Sequence, residues 1–274
     1  MYKISIIVSV YKKIDELRLI LYALSVQTFK DFEIIIADDG SGKELEESVK
    51  YFKKNADLNL IFITQPHLGF RKNRILNEAI KRANSNHLIF IDGDCIPHSN
   101  FIKAHFENIR NNAVLCGRRV YLGEKLSLKF DRDYILNKEY EKNNFSILRD
   151  SLRNKKSSRY FEEGLILKNK FLRRVFNPKE IHILGCNFSI PKDLIEKVNG
   201  FDEDYIGAGM GEDTDLEYRL SLLNAKFISV RNLAIVYHLY HKKTLEEKTN
   251  YEYFHNIVSK SGNYFCKNGL IKVE

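Results

Sequence analysis

Asp92-Gly93-Asp94 follows Leu88-Ile89-Phe90-Ile91, so a strand-forming run ends in two carboxylates separated by one glycine. Carboxylates at i and i+2 on a tight turn suit a hard divalent cation bound to phosphate oxygens. Gly93 permits the turn and leaves room for a ligand to approach. Alone, such a triplet is ordinary turn chemistry; at the end of a buried strand it gains weight. Asp38-Asp39-Gly40-Ser41 ends an earlier apolar run. Its two acids are either turn residues or include one acceptor for a nucleotide base N–H. Arg71, Lys72 and Arg74 open a helical pattern at Phe70. They read as a solvated basic face, or as diphosphate contacts reinforced by a helix N-terminus.

Glu212, Asp213 and Asp215 crowd one turn behind Gly207, Gly209 and Gly211. Dipole complementation accounts for any single acid there. Three acids behind small residues leave space for a ligand, and a carboxylate at its edge suits removal of a hydroxyl proton. His238 and His241 close a late apolar run. Each has a structural reading; beside a candidate metal-binding Asp92-Gly93-Asp94, one of them is a candidate further ligand through a neutral imidazole. Strand alternation puts His238 and Tyr240 on one face. His241 falls beyond the strand, so His238 ranks first. Cys95 reads as a small packing residue.

These groups need elements to position them. Residues 4–10, 32–37, 58–63 and 88–92 are apolar, β-branched runs that predict four strands. Between them lie helical patterns, the first opened by Asp15 and carrying Leu17, Leu21 and Leu24. The second follows Ser41-Gly42-Lys43-Glu44, which has capping-box spacing. The third runs from Phe70 to Ala83. Continuous apolar strands joined by helical crossovers imply a parallel sheet covered on both faces. Such sheets bind ligands beyond the carboxyl ends of their strands. Tyr11, Asp38 to Ser41 and Asp92 to Asp94 should therefore converge. A helix at 101–109 and a strand at 113–117 follow. Residues 118–180 lose periodicity and read as an insertion with helical pieces and loops. Order returns at 181–190, then in a short helix ended by Asn199-Gly200, a natural left-handed cap. From about Thr244 the pattern predicts a helical tail packing back on the body.

With 274 residues, 44% of them hydrophobic, the chain can build one large domain or two small ones with a real core. No stretch approaches the roughly 18–20 apolar residues of a spanning helix, and the N-terminus reads as a strand rather than a signal peptide. Four scattered cysteines without a CxxC pair suit a reducing cytoplasm. The net charge of +8 is regional, because residues 118–180 hold 17 Lys/Arg against 9 Asp/Glu. A solvated surface, anionic lipid headgroups or an anionic acceptor would each answer that excess. No nucleic-acid-binding signature accompanies it.

Two blocks now carry a resemblance. ISIIVSVYKK, LSVQTFKDFEIIIADDGS, GFRKNRILNEAI and LIFIDGDC cover residues 3 to about 115, and LGCNFSIPKDLIEKVNGFDEDYIGAGMGEDTDLEYRL with VYHLYH covers about 183–241. The chain resembles a glycosyltransferase of family 2 with the GT-A fold. Its second block is similar to the C-terminal part of β-1,4-galactosyltransferases and of bacterial chondroitin-polymerase-like enzymes. The resemblance implies an α/β, Rossmann-like, mostly parallel sheet with helices on both faces. It divides the chain into a GT-A domain at 1–243 and a tail at 244–274. Within the domain, 1–117 would bind nucleotide sugar, 118–180 would be the basic insertion and 181–243 the acceptor-binding, catalytic half.

The resemblance further implies an inverting transfer of a hexose or N-acetylhexosamine, galactose or N-acetylgalactosamine favoured, from a UDP-sugar. Val10, Tyr11 and Asp39 would hold uridine, with Arg71 nearby. Asp92, with Gly93, would lie near ribose and metal. Asp94 and His238 would ligate Mn²⁺ or Mg²⁺. Asp213 would be the general base, Glu212 would orient the acceptor and Asn187 would line the sugar pocket. The relatives' acceptor loop usually carries a tryptophan; here it reads GAGMG, and the whole chain has none. The expected acceptor is a saccharide or lipid-linked saccharide of capsule or lipopolysaccharide. The expected location is the cytoplasm, with peripheral contact at the inner membrane face through the basic insertion. Two rival readings are a nucleotidyltransferase forming sugar nucleotides and a non-catalytic nucleotide or polyanion binder. The first lacks a Lys/Arg-studded glycine loop after the first strand, and the second leaves Asp92, Asp94 and Asp213 without a task.

Overall fold

β1 (Ile4–Val10), β2 (Phe32–Asp38), β3 (Leu60–Thr64) and β4 (His87–Asp92) alternate with α1 (Ile14–Ser25), α2 (Lys43–Asn55) and α3 (Lys72–Arg82). The structure, a computed structural model, describes residues 2–154, 157–176, 181–207, 211–242 and 248–273, without the side chains of Lys170, Arg174 and Phe176. β1 lies between β2 and β4, and β3 pairs with β2, all parallel. Four more strands complete the main framework: β5 (Cys95–Pro97), β6 (Ala113–Cys116), β7 (Arg118–Tyr121) and β8 (Phe188–Pro191), with α4 (Phe101–Asn108) between β5 and β6. The last two are β9 (Lys226–Ser229) and β10 (Ile235–His238). The large sheet runs β3-β2-β1-β4-β8-β6-β9, and a second runs β5-β10-β7. β8 is antiparallel to both neighbours. It stitches the late half of the chain onto the edge that β4 would otherwise leave open.

The strands are apolar on both faces because both are covered. Ile4, Ile6 and Val8 pack with Leu17, Ile20 and Leu24 of α1 on one side. Ile7 and Ile35 pack with Ile75, Leu76 and Ile80 of α3 on the other. Val120, Leu122, Phe130, Ile135, Tyr140 and Ile147 join the first of these cores. The segment from Arg118 onward therefore opens with a sheet strand and adds to the core, where its sequence alone predicts an insertion with helical pieces and loops. The helical pieces form, Asn144–Arg153 among them, whereas a four-residue strand such as β7 is too short for a readable period.

Some local expectations give way to stronger partners. Ser41 does not cap α2, whose N-cap is Gly42 with no side-chain bond. Ser41 instead donates its backbone N–H and hydroxyl to Asp38. Asp38 is thereby a turn residue, also bonded by the Thr64 hydroxyl at 2.7 Å. β3 starts at Leu60 rather than residue 58. The Asn199-Gly200 cap forms as expected, with φ of 65° and 74°. Beyond residue 247 the helical tail packs back on the body. Asn199 donates to the Cys266 and Ile271 carbonyls at 2.8 Å each.

The helix Glu212–Leu222 is fixed from beneath by one buried pair. Asp215 accepts from Arg219 Nε at 2.9 Å, and Arg219 also donates to the carbonyls of Val198 and Gly200. Both side chains are 1% exposed. Asp215 is thus structural, which leaves Glu212 and Asp213 as the acids at the helix start. Removing one partner of a buried pair leaves an uncompensated charge, at about 3–5 kcal/mol. Arg219→Met should lower unfolding free energy by about that much in urea titrations. A loss near zero would show that the pair does not anchor the helix.

Candidate active site

Asp39 stands just past the end of β2, where the parallel sheet opens. Its N–H donates to the Val10 carbonyl at 3.0 Å. Its carboxylate accepts from Gln65 Nε2 at 2.6 Å and from the backbone N–H of Arg71 at 3.0 Å. Gln65 also donates to the Arg71 carbonyl at 3.0 Å, so β3, the α3 start and β2 meet on one side chain. Next to it, the rings of Tyr11 and His67 stack with centroids 4.5 Å apart and planes 15° apart. Tyr11, Asp39 and Arg71 therefore converge as the sequence predicts. Val10 does not offer its side chain, which is buried; its carbonyl ties Asp39 in place.

Asp92 ends β4 and accepts from the Ser9 hydroxyl at 3.0 Å. Lys72, in the first turn of α3, places its ammonium 3.1 Å from Asp92 and 2.8 Å from Glu212. One cation thus joins the end of β4 to the helix Glu212–Leu222. Burial pulls the Lys72 pKa down, but Asp92, Glu212 and Asp213 outweigh it and hold the amine well above its usual range. Burial likewise pushes Asp92 up, and Lys72 reverses it, so this carboxyl stays ionised. Asp213 lies beside them, its carboxylate accepting from the Gly185 N–H at 2.7 Å. Burial first, then Glu212, pushes Asp213 up to about 7. Glu212 Oε2 is buried and lacks a hydrogen-bond partner among the described residues. Ser9, Lys72, Gly185, Glu212 and Asp213 line a small cavity between the two halves.

Asp94 occupies the turn between β4 and β5. Its carboxylate takes the Lys13 ammonium, with His241 Nε2 at 3.3 Å and His238 Nε2 at 3.6 Å. The second sheet builds this meeting. β10 pairs with β5 so that His238 stands opposite Cys95. The Leu239 N–H then donates to the Asp94 carbonyl at 3.0 Å, and the chain turns to return His241. Burial pushes Asp94 up, but His241, His238 and Lys13 outweigh it and hold the carboxyl far below its ordinary range. Burial pushes His238 down to about 4, leaving a neutral imidazole. One ligand atom each from Asp94, His238 and His241 lies within 4.8 Å of the others. A carboxylate oxygen with two imidazole nitrogens is a donor set for a divalent transition ion. Lys13 already sets positive charge against the same oxygen. The residues fit a bound divalent cation.

Not every expected residue lies here as predicted. Asp92 faces Ser9 and Lys72 and is outside the Asp94–His238–His241 group. Asn187 is fully buried. Its amide donates to the Arg118 and Ala234 carbonyls at 2.7 and 2.8 Å and its oxygen meets His105 Nε2 at 3.1 Å, so it knots the core rather than lining a pocket. Gly93 is required by packing. A Cβ there would lie 2.8 Å from the Ser9 carbonyl, so β1 and not a ligand demands the glycine. The expectation for Ala208, Gly209 and Met210 falls outside the described residues. The sequence reading missed Lys13, Gln65 and His67. Each follows a strand end by one to three residues, the place where such sheets present ligands.

The chain is similar to known proteins. The family described as Glycosyl transferase family 2 matches residues 5–198, and that described as the N-terminal domain of galactosyltransferase matches residues 176–242. A chondroitin synthase of Escherichia coli is 27% identical over 241 residues, covering 86% of this chain and 34% of that protein. A chondroitin synthase of Pasteurella multocida is 25% identical over 246 residues, covering 86% and 24%. The chain therefore spans about a third or less of these relatives. Among solved structures, S. aureus TarS 1-349 in complex with UDP-GlcNAc superposes with a TM-score of 0.59 at 18% identity, covering 88% of this chain and 60% of that one. A mannosyltransferase from Pyrobaculum calidifontis in complex with GDP-Man and Mn2+ gives 0.57 at 15%, covering 89% and 59%. These likenesses show the GT-A fold.

The cation site generates a direct test. Calorimetric titration with Mn²⁺ should detect binding to the intact protein. Asp94→Ala should abolish it, and His238→Ala or His241→Ala should each weaken it about 10-fold or more, the loss of one ligand from three. Undiminished affinity in Asp94→Ala would remove this group as the metal centre.

Proposed function

The chain belongs to glycosyl transferase family 2, and on that premise we propose that it moves a hexose or N-acetylhexosamine from a UDP-sugar to a saccharide hydroxyl with inversion. The relatives named as chondroitin synthases favour a bacterial surface polysaccharide as acceptor, and the galactosyltransferase match favours galactose or N-acetylgalactosamine as the transferred sugar.

The observation that carries this reading is Asp213, a carboxyl held near pKa 7 beside Glu212, across Lys72 from the Asp92–Asp94 turn. A general base works best when its pKa lies near the working pH. Asp213 takes the proton from the acceptor hydroxyl as the oxygen attacks the anomeric carbon. The carbon–oxygen bond forms on one sugar face while the bond to the diphosphate oxygen breaks on the other. The unpartnered Oε2 of Glu212 suits a second hydrogen bond that orients the acceptor. Asp39, with Gln65 behind it, receives the uracil edge, and the Tyr11–His67 stack continues as its platform. Asp94, His238 and His241 would hold Mn²⁺ or Mg²⁺, which when bound neutralises charge on the departing diphosphate. Lys72 keeps Asp92 ionised and Glu212 in position, so it orients rather than reacts.

The expected partner surface is a bilayer. The helix Asn144–Arg153 buries Ile147 and Asp150 inward and exposes Phe145 by 76% and Leu152 by 63%. Arg149 shares that outer face at helical spacing, and Arg153 follows Leu152. Apolar residues mixed with arginines suit insertion at an anionic lipid interface. No helix among the described residues is long and apolar enough to cross a membrane. We place the reaction at the cytoplasmic face, where a lipid-linked acceptor would be presented.

Asp213→Asn should retain UDP binding in calorimetry and lose about 10²–10⁴-fold in turnover. The base acts as a carboxylate, so wild-type kcat should rise with pH through about 7 and level off above it. A loss under about 10-fold, or a profile flat from pH 5 to 9, would move the base elsewhere. Phe145→Ser with Leu152→Ser should reduce co-sedimentation with phosphatidylglycerol vesicles by about 10-fold, since each buried apolar side chain contributes roughly 1.5–3 kcal/mol at most. Equal sedimentation of both proteins would reject the membrane face.

A further inference from the structure

Beside the Asp94–His238–His241 group stands a second cluster that the mechanism above does not use. β7 ends at Tyr121, whose ring centroid lies 4.9 Å from that of His238. Arg119, two residues earlier on the same face, donates from Nε to the Tyr121 hydroxyl at 2.7 Å. Its guanidinium carbon sits 4.7 Å from the Tyr121 centroid. Tyr121 and Arg159 form an antiparallel bridge, exchanging backbone hydrogen bonds of 3.0 and 3.1 Å. The Arg159 guanidinium carbon then lies 5.1 Å from the Tyr121 centroid and 5.9 Å from that of Tyr160. Two guanidinium groups and two phenol rings are thus interleaved at the edge of the metal group.

Their charge is unanswered locally. Among the described residues neither Arg119 nor Arg159 forms an ion pair, and Arg159 Nε is buried without a hydrogen-bond partner. The nearest catalytic acid to feel Arg119 is Asp92, through space only. Elsewhere the same fold neutralises its buried arginines, as Arg219 with Asp215 and Arg231 with Glu163. An arginine left open in such a protein is available to something else.

The backbone beneath the cluster is held. Tyr160 has φ of 61°, a left-handed conformation uncommon for a bulky side chain. Three residues on, Glu163 is locked by the buried ion pair with Arg231. Asn232 donates to the Glu162 and Leu165 carbonyls at 2.6 and 2.8 Å. The turn is over-determined and presents a Tyr160 ring that is 43% exposed. Strained, well-supported positions of this kind cluster at ligand sites.

We propose that Arg119, Tyr121, Arg159 and Tyr160 form an acceptor subsite for an anionic sugar. The sugar ring packs on the exposed Tyr160 ring, and its oxyanion, a carboxylate or a phosphate, binds the guanidinium groups that Tyr121 positions. This rests on the transferase reading for the word acceptor. The pairing of ring face with guanidinium selects the chemistry. A bare diphosphate has no use for an aromatic face, and a neutral sugar has none for two open arginines. The absence of tryptophan from the chain fits, since a tyrosine would then supply the sugar platform.

The test measures binding directly, in the presence of Mn²⁺ and saturating UDP. The probes are methyl β-D-glucuronide, glucose 6-phosphate and methyl β-D-glucoside, titrated into wild type, Arg159→Gln and Tyr160→Ser by calorimetry or ligand-observed NMR. Wild type should bind at least one charged probe about 10-fold more tightly than the glucoside, a difference of about 1.4 kcal/mol. The glucuronide and the phosphate distinguish the two oxyanions. Arg159→Gln should erase that preference, and Tyr160→Ser should weaken charged and neutral probes alike. Equal binding of all three probes by wild type, or an unchanged preference in Arg159→Gln, overturns the subsite. A loss of UDP affinity in Arg159→Gln, measured without sugar, assigns the arginine to the donor and also overturns it. Preference for a charged probe together with no turnover of any UDP-sugar would instead leave the subsite standing and sink the transfer reaction.

Discussion

The Lys72 ammonium, held between Asp92 and Glu212, is the contact on which the rest of the site depends. Asp92 belongs to the first parallel half of the chain and Glu212 to the last helix packed under the sheet. Nothing covalent brings them near each other. Lys72 is largely enclosed, with 20% of its side chain exposed, and burial favours its neutral form unless carboxylates surround it; two carboxylates this close repel unless a cation lies between them. Each of the three charges is therefore stabilised by the other two. The arrangement also sets chemistry apart by position. Asp92 touches the cation and stays ionised. Asp213, one residue beyond Glu212, is pushed up first by burial and then by Glu212, with less of the cation's attraction to offset them. Two chemically identical side chains are thus set apart, Asp92 as an anion and Asp213 as a titrating carboxyl.

The large sheet supplies Lys72 and Asp92 from adjacent positions, since α3 follows β3 and packs beneath β1 and β2. It cannot by itself supply Glu212. That requires β8, which runs antiparallel into the sheet between β4 and β6. Gly185, just before β8, then reaches the Asp213 carboxylate through its backbone N–H. The buried Asp215–Arg219 pair completes the alignment from below by binding the turn at Val198 and Gly200. The second sheet does the equivalent work for Asp94, delivering His238 by strand register and His241 by the turn that follows.

The first half of this structure was readable because its strands are long, apolar and separated by amphipathic helices. β1, β2 and β4 fall within one residue of their expected bounds. The carboxylates at their ends were legible for the same reason, since topology places strand ends together. Three things were not. β5 and β7 have only three or four residues each, too few for a period, so although β10 was legible as a late apolar run, the sheet that joins His238 to Tyr121 was not. Lys72 stood in a basic trio with Arg71 and Arg74, and nothing local distinguished the one that turns inward. Asn187 sat in a motif that suggested a pocket, while its amide answers backbone carbonyls left over where β7 and β10 approach. In each case at least one deciding partner lies more than forty residues away. Local pattern identifies what a residue can do, but tertiary contact decides whether it does so.

The relation between charge and acceptor follows from the same logic. The described site holds Asp92, Asp94, Glu212 and Asp213 within a few side chains of one another, answered by Lys13, Lys72 and the two histidines. A divalent cation and a diphosphate would enter this balance nearly as a neutral unit. The two open arginines at the end of β7 are then surplus to donor chemistry, and a neutral acceptor would leave them solvated or unsatisfied. An acceptor bearing one negative charge per sugar closes the account without any rearrangement of the catalytic acids. Under the proposed subsite the acceptor's anion would be held by Arg119 and Arg159 rather than beside Asp213, whose pKa any nearby negative charge would raise further.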